Sequence, residues 1–312
     1  MLDQTGKKIL GLYFENTRAS LTTISKKLKI PKSTVNYHIK KLEKEKIITR
    51  NIALFNYPNL GFCAGYSLLL KVADCSDDDL NSIFHMNDSV VNAFRITGNF
   101  DIASTVFVRT VANIQDILDI VKKQLKGRLR DSSVSRINRL IFHPLKKELY
   151  TSMNPVVLNF EEIQQIKMKN EDKQILRIIA RDGNVSLVEI ANQLKIPAQR
   201  VAYKFRQLIH EKIILHFRPI LDLKYKAAIF HLKLISSSKL LKTLEVFANQ
   251  DKNVNVHAFM DGPFQATIQI LYQDYSEVVH FNDKLKKLLG DDLKSLEWCI
   301  AGKEILREVL PY

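Results

Sequence analysis

The sequence predicts an α+β chain in which one architecture is written twice: a three-helix unit with a β-wing, then a βαββαβ layer. Three observations carry this. LKIPKSTVNYHIKKLEKEKII, from Leu28 to Ile48, returns 166 positions later as LKIPAQRVAYKFRQLIHEKII, from Leu194 to Ile214. Each copy keeps its apolar positions and changes its polar ones. The stretch after each copy then runs through strand-like and helix-like segments in the same order.

The long segment reads as an amphipathic helix. Val35, Ile39 and Leu42 share one face at helical spacing, while Ser33, Tyr37, Lys40 and Lys44 point the other way, with Asn36 and Lys41 beside them. Pro31 suits the first helical position, where a missing N–H costs nothing. In the second copy Val201, Phe205 and Leu208 face inward, and Gln199, Tyr203 and Arg206 outward. LTTISKKL, with Ser20 as cap, precedes the first long helix, and GKKILGLYFEN precedes that; DKQILRIIARDGNVSLVEIANQL, with Ser186 as cap, is the second version. IITRNIALF and IILHFRPIL are β-prone and are expected to form two-stranded wings. The unit is a winged helix-turn-helix, whose long helix fits the major groove of a duplex.

The layer that follows opens with the strand GYSLLLKVA and the Ser76-capped helix SDDDLNSIFHM. The strands VVNAFRITG and FDIASTVFV come next, then the helix VANIQDILDIVKKQL and the strand VSRINRLIF. This βαββαβ order is ferredoxin-like. The second copy repeats it from AAIFHLKLI to LKSLEWCIAG, and the tail KEILREVLPY is expected to add a short helix. The expected division is a winged helix at 1–60, a ferredoxin-like layer at 61–145, a tethering linker at 146–168, a second winged helix at 169–222 and a second layer at 223–312.

Charge points to the partner. The 312 residues are 46% hydrophobic, enough for real cores, yet carry a net charge of +14. Met1–Leu60 holds 12 Lys and Arg against 4 Asp and Glu; Lys169–Ile220 holds 10 against 5. Basic charge on a grooved-duplex module selects a polyanion, double-stranded DNA. The expected contacts are Lys32, Ser33, Asn36, Tyr37, Lys40 and Lys41 on the first long helix, with Arg50 on its wing. In the second copy they are Gln199, Arg200, Tyr203, Lys204 and Arg206. The second copy is the weaker, because Ala198 and Ala202 stand where the first has Lys32 and Asn36.

These residues resemble the leucine-responsive regulatory protein (Lrp/AsnC) family of transcription regulators. LDQTGKKIL, RASLTTISKKLKI, STVNYHIKKLEKEKII, NLGF and RITGNFDIASTVFV carry the likeness in order, and it covers nearly the whole chain, once per half. The resemblance implies a DNA-binding winged helix followed by a ferredoxin-like (RAM-type) domain that makes dimers and often senses an amino acid. Its effector turn implies Thr97, Gly98, Asn99 and Asp101 as a small-molecule site; a plain turn in which Asp101 caps a strand is the other reading. The second half has Gly262-Pro263-Phe264-Gln265 there, without the acid. Where the family has glycine before the wing, this chain has Lys46 and Lys212. The tandem form implies either an intramolecular pseudo-dimer with two unequal heads or a homodimer with four.

Other classes fit less well. Cys63, Cys75 and Cys299 are too scattered for a zinc site or a disulfide framework, so neither metal nor cofactor is expected. No apolar run spans a membrane and no signal-peptide core is read at the N-terminus, so the expected compartment is the cytoplasm. No P-loop, dinucleotide fingerprint or nucleophile constellation is present, and the chain is expected not to be an enzyme. The fused two-copy form also resembles siroheme decarboxylases, for which Arg95, His85, His231 and His257 would be the candidates. A protein-interaction adaptor is the third alternative.

Overall fold

The computed structural model describes residues 3–85, 89–111, 113–147, 149, 153–164, 166–235 and 238–307. The chain forms two compact units: Met1–Leu60 with Pro144–Val156 and Ile166–Lys224, and Gly61–His143 with Val157–Gln165 and Tyr225–Tyr312. Both helical heads lie in the first unit and both βαββαβ layers in the second, so the grouping cuts across sequence order.

In the first unit the repeat holds residue for residue. Helices α1 (Gln4–Glu15), α2 (Leu21–Leu28) and α3 (Lys32–Lys44) and strand β1 (Ile48–Phe55) make one head. Each has a counterpart displaced by 166 positions in α6 (Asn170–Arg181), α7 (Leu187–Leu194), α8 (Ala198–His210) and β7 (Ile214–Leu221). The caps agree: Ser20 accepts from Thr23 N at 3.0 Å, and Ser186 from Glu189 N at 3.1 Å. Lys29 and Lys195 close α2 and α7 in the left-handed region, with φ of 56° and 55°. Lys46 and Lys212 do the same before β1 and β7, so lysine adopts the backbone for which glycine is the usual choice. Pro31 and Pro197 are the cap residues, one place earlier than the first helical position expected. Ile9, Leu10, Phe14, Ile24, Val35, Ile39 and Leu42 build the first core, joined by Leu149.

The wings differ from expectation. β1 does not fold back on its own copy; it pairs antiparallel with β7, Ala53 opposite Phe217. Neither strand is followed by a two-residue hairpin turn of the Asn-Gly type, so each single β-prone run finds its partner in the other copy. The junction is reciprocal. Thr17 N donates to Phe217 O at 3.2 Å, and Gly183, the counterpart of Thr17, donates from N to Asn51 O at 2.9 Å. A Cβ on Gly183 would lie 2.7 Å from the Ile52 carbonyl carbon. Arg18 completes the joint, donating to Gly183 O at 2.6 Å and Val185 O at 2.8 Å. Its guanidinium lies over the Phe205 and Phe217 rings, and burial, partly opposed by Asp182, lowers its pKa.

In the second unit the first layer is β2 (Ala64–Val72), α4 (Asp77–His85), β3 (Val90–Thr97), β4 (Ile102–Val108), α5 (Asn113–Leu125) and β5 (Leu129–Phe142). A short strand β6 (Val156–Asn159) follows. The second layer is β8 (Lys226–Leu234), α9 (Ser238–Gln250), β9 (Val254–Asp261), β10 (Ala266–Tyr272), α10 (Tyr275–Leu289) and β11 (Leu293–Arg307). Strand orders β5-β2-β4-β3 and β11-β8-β10-β9 are the same ferredoxin-like pattern. The edges continue into each other: β3 pairs with β11, and β5 with β9, so eight strands close into a ring. The copies thus join edge to edge along two seams. β6 extends the sheet beside β5; the predicted tether therefore carries a strand, and Leu145, Leu149 and Met153 of that stretch pack on the first head's core. Lys303–Arg307 of the predicted tail helix is strand, held by β3; the remainder of that tail lies outside the described residues.

Side chains alternate across the ring. Leu68, Leu70 and Val106 face α4 and α5, and Phe230, Leu232 and Ile268 face α9 and α10. Each seam carries a cross-copy ion pair. Arg139 forks onto Glu245 at 2.8 and 3.0 Å, and Lys303 reaches Asp77 at 2.6 Å.

Candidate nucleic-acid interface

The apolar stripe of α3 is consumed by the head's core, which leaves the opposite face to solvent. Lys32, Ser33, Lys40 and Lys41 are exposed, Asn36 is half-buried, and Tyr37 keeps 62% of its surface. Arg50 is exposed on β1. Lys41 has only a loose pair with Glu45, 3.9 Å away. These seven side chains therefore offer the mixture that duplex DNA requires: ammonium and guanidinium groups for phosphates, and hydroxyl and amide groups for base edges.

The second head shares the backbone but not the charge. Gln199, Arg200 and Arg206 are exposed, and Tyr203 keeps 63% of its surface, matching Tyr37. Lys204 corrects the sequence reading. It is 8% exposed, and its Nζ donates to Asp172 Oδ1 at 2.6 Å and lies 3.4 Å from Glu171. Burial alone would lower its pKa; the bond and charge of Asp172, then Glu171, outweigh it and raise the value. Lys204 is thus a fixed internal cation, not an outward contact. Arg200 leans on Glu171 as well, at 3.1 Å. The reason is local. Position 204 falls one residue before the core-facing Phe205, on the side that α6 covers, and the first turn of α6 carries two acids. The first head has Thr5, Gly6 and His38 at these three positions. Sequence reasoning missed Glu171, Asp172, Gly183 and Arg18. The first two were findable, because the acids and Lys204 change together when the copies are aligned.

The turn predicted to hold an effector is built into a seam. Thr97, Gly98 and Asn99 are exposed, and Asn99 donates to Glu297 at 2.8 Å. A Cβ on Gly98 would lie 3.1 Å from Cys299 Cβ and 3.2 Å from Trp298 O on β11. Asp101 accepts from Val72 N at 2.8 Å through Oδ2. In the second copy Gln265 accepts from Leu234 N, also at 2.8 Å. The neighbouring backbone bonds correspond too: Asp101 N to Leu70 O and Gln265 N to Leu232 O, each 2.9 Å. One oxygen of Asp101 is therefore committed to capping a strand, a task its uncharged counterpart performs equally.

The residues named for tetrapyrrole chemistry engage different partners. Arg95 pairs with Asp77 at 2.9 Å and also bonds Cys75 O. His231 is buried beside Phe264 and Cys299, and burial pushes its pKa down to about 4. His257 stacks on His143, Nδ1 to Nε2 at 2.7 Å. The His85 side chain lies outside the described residues. Among the described residues no group of three or more His, Cys, Asp and Glu could hold a metal, and no helix is long and apolar enough to cross a membrane.

Comparison with known proteins places this geometry. The family of winged helix-turn-helix DNA-binding domains matches twice, over residues 2–49 and 172–214. An uncharacterised HTH-type transcriptional regulator of Pyrococcus abyssi is 26% identical over 148 residues, 47% of this chain and 96% of that protein. The HTH-type transcriptional regulator Ptr1 of Methanocaldococcus jannaschii is 30% identical over 120 residues, 38% of this chain and 80% of its own. The chain belongs to the HTH-type transcriptional regulators, in a tandem form, and the Lrp/AsnC-type resemblance of its motifs agrees with that membership.

One expectation is overturned. The crystal structure of the siroheme decarboxylase NirDL aligns over 98% of this chain and 94% of its own, with a TM-score of 0.68 at 12% identity. That likeness concerns the fold alone. It removes the ground for excluding catalysis, because an enzyme is built on this same full-length tandem architecture.

Proposed function

We propose that this protein is a sequence-specific, DNA-binding transcription regulator whose two heads are supplied by one polypeptide. The observation that carries the reading is the exposed face of α3, with Lys32, Ser33, Asn36, Tyr37, Lys40 and Lys41 turned to solvent on a helix-turn-helix scaffold. The pairing of β1 with β7 supports an intramolecular pseudo-dimer. Its target is then an imperfect palindrome, with half-sites about one helical turn apart or a multiple of it. Such work places it in the cytoplasm.

Gel-shift titration with random-sequence duplexes at several salt concentrations tests the reading. Each phosphate contact releases counterions, so log K should fall linearly with log salt. Salt-independent binding, or none, rejects it. Light scattering addresses the pseudo-dimer: a strict monomer in solution excludes the four-headed form.

A small-molecule effector in the sensor layers is part of the proposal, at the turn bearing Thr97, Gly98, Asn99 and Asp101. A melting-temperature screen with amino acids tests it; no shift with any of them removes the amino-acid assignment. A second reading, tetrapyrrole decarboxylation, is favoured by the full-length likeness to NirDL. Titration with siroheme, followed by visible absorbance, separates the two, since a regulator without that chemistry leaves the spectrum unchanged.

A further inference from the structure

We infer that Glu171 and Asp172 form an acidic latch that withholds Arg200 and Lys204 from DNA, leaving α3 as the helix that selects sequence. The inference rests on the DNA-binding reading and deepens it. The two heads have identical element boundaries at an offset of 166 residues, so the side chains of α3 and α8 can be compared position by position. On α3 Lys32, Lys40 and Lys41 are exposed, and only Lys41 has an ion pair, at 3.9 Å. On α8 the corresponding positions are Ala198, Arg206 and Gln207. The further cations of that helix, Arg200 and Lys204, both engage the first turn of α6. Asp172 is doubly occupied, since its Oδ2 also accepts from Lys169 N at 3.1 Å and caps α6. The acid therefore sits where the helix needs it, and the nearly buried Lys204 cannot swing out without leaving this half-buried carboxylate without its cation.

Base-reading capacity follows the same division. Asn36, the amide that can address adenine in a bidentate manner, is replaced by Ala202. Arg206 bends back, donating to Ala202 O at 3.2 Å. The second head keeps Gln199 and Tyr203 exposed, but Arg200 and Lys204, two cations that would help hold them in register on the backbone, are engaged by α6.

Glu171→Gln is the informative variant, because Lys204 keeps Asp172 and the α6 cap is untouched. It should free Arg200, steepen the salt dependence of binding by about one phosphate contact and raise affinity about threefold at moderate salt. Arg200→Ala should be silent in the native background and cancel the gain of Glu171→Gln. Selection from a random duplex library should return a motif that Ser33→Ala with Asn36→Ala erases and that Gln199→Ala with Tyr203→Ala leaves intact. Retention of DNA with unchanged slope in a folded Glu171→Gln variant, a loss on Arg200→Ala alone, or a motif half-erased by the α8 changes overturns the inference while sparing the regulator. Absence of salt-dependent retention in every variant overturns both.

Discussion

The two heads share every element boundary, both left-handed lysines and both serine caps, and both are net basic, yet they dispose their long-helix cations differently. On α3, Lys32, Lys40 and Lys41 stay in solvent; on α8, Arg200 and Lys204 are tied to Glu171 and Asp172, 29 and 32 residues earlier in the chain but adjacent in the fold. The difference teaches that scaffold and reading surface are separable here. The apolar stripe is set by the core, which both copies need, whereas the outward positions carry no packing constraint. The layers differ in the same selective manner: Leu69 of β2 corresponds to His231 of β8, and Asp101 to Gln265.

The most severe way to break the comparison is at α3. Replacing Ser33 and Asn36 together with alanine should cost about 1–3 kcal/mol per lost base contact and flatten sequence preference. Replacing Lys40 and Lys41 should weaken binding to all duplexes alike, read by gel-shift against specific and random DNA. Equal losses from Gln199→Ala with Arg206→Ala would erase the asymmetry.

Acid should separate the two layers next. A neutral buried His231, its pKa pushed down to about 4, stabilises the folded chain above the ordinary histidine range. That stability is fully present above about pH 6.5 and is lost as pH falls toward 4, to an extent of about 3 kcal/mol. Urea unfolding at pH 7.5 and 4.5 measures it, and His231→Leu, which copies Leu69, should flatten that part of the dependence.

A smaller effect is expected at the joint between the heads. Gly183→Ala places a Cβ against the backbone of Ile52, where nothing flexible can give, and should cost about 1–3 kcal/mol in thermal unfolding. Thr17→Ala, at the equivalent position of the first head, should be milder. A null result at Gly183 would mean the β1–β7 joint yields easily.

The cap at Asp101 sharpens the comparison of the layers. Asp101→Ala leaves Val72 N without its acceptor and should cost about 1 kcal/mol, while Asp101→Asn, an amide like Gln265, should cost less. Should Asn prove as damaging as Ala, the carboxylate charge matters and an effector role gains ground. Least of all, Lys46→Gly and Lys212→Gly should each raise the melting temperature slightly, relieving a left-handed φ worth roughly 1 kcal/mol.

Much of this molecule was legible in its residues. Val35, Ile39 and Leu42 repeat at helical spacing because one face of α3 is core, so the heads could be read directly. The βαββαβ order was legible for the same reason. What stayed hidden was which strand pairs with which across the copies. Period-2 alternation tells a strand its faces and not its neighbour, so the β1–β7 joint and both ring seams came only from the fold. Lys204 was misread because a lysine on a helical wheel looks exposed until its partners on α6 are seen. Gly98 and Gly262 read as turn residues; only the fold shows them pressed against β11 and β5.

The ring seams have one more consequence. In a pair of identical subunits each contact is repeated by symmetry, so any change strikes twice and must suit both places. Here Arg139 meets Glu245 at one seam while Lys303 meets Asp77 at the other. Because the two borders lie in one polypeptide and differ in sequence, each can change alone, and a lone mutation can loosen one side of the ring while its opposite holds.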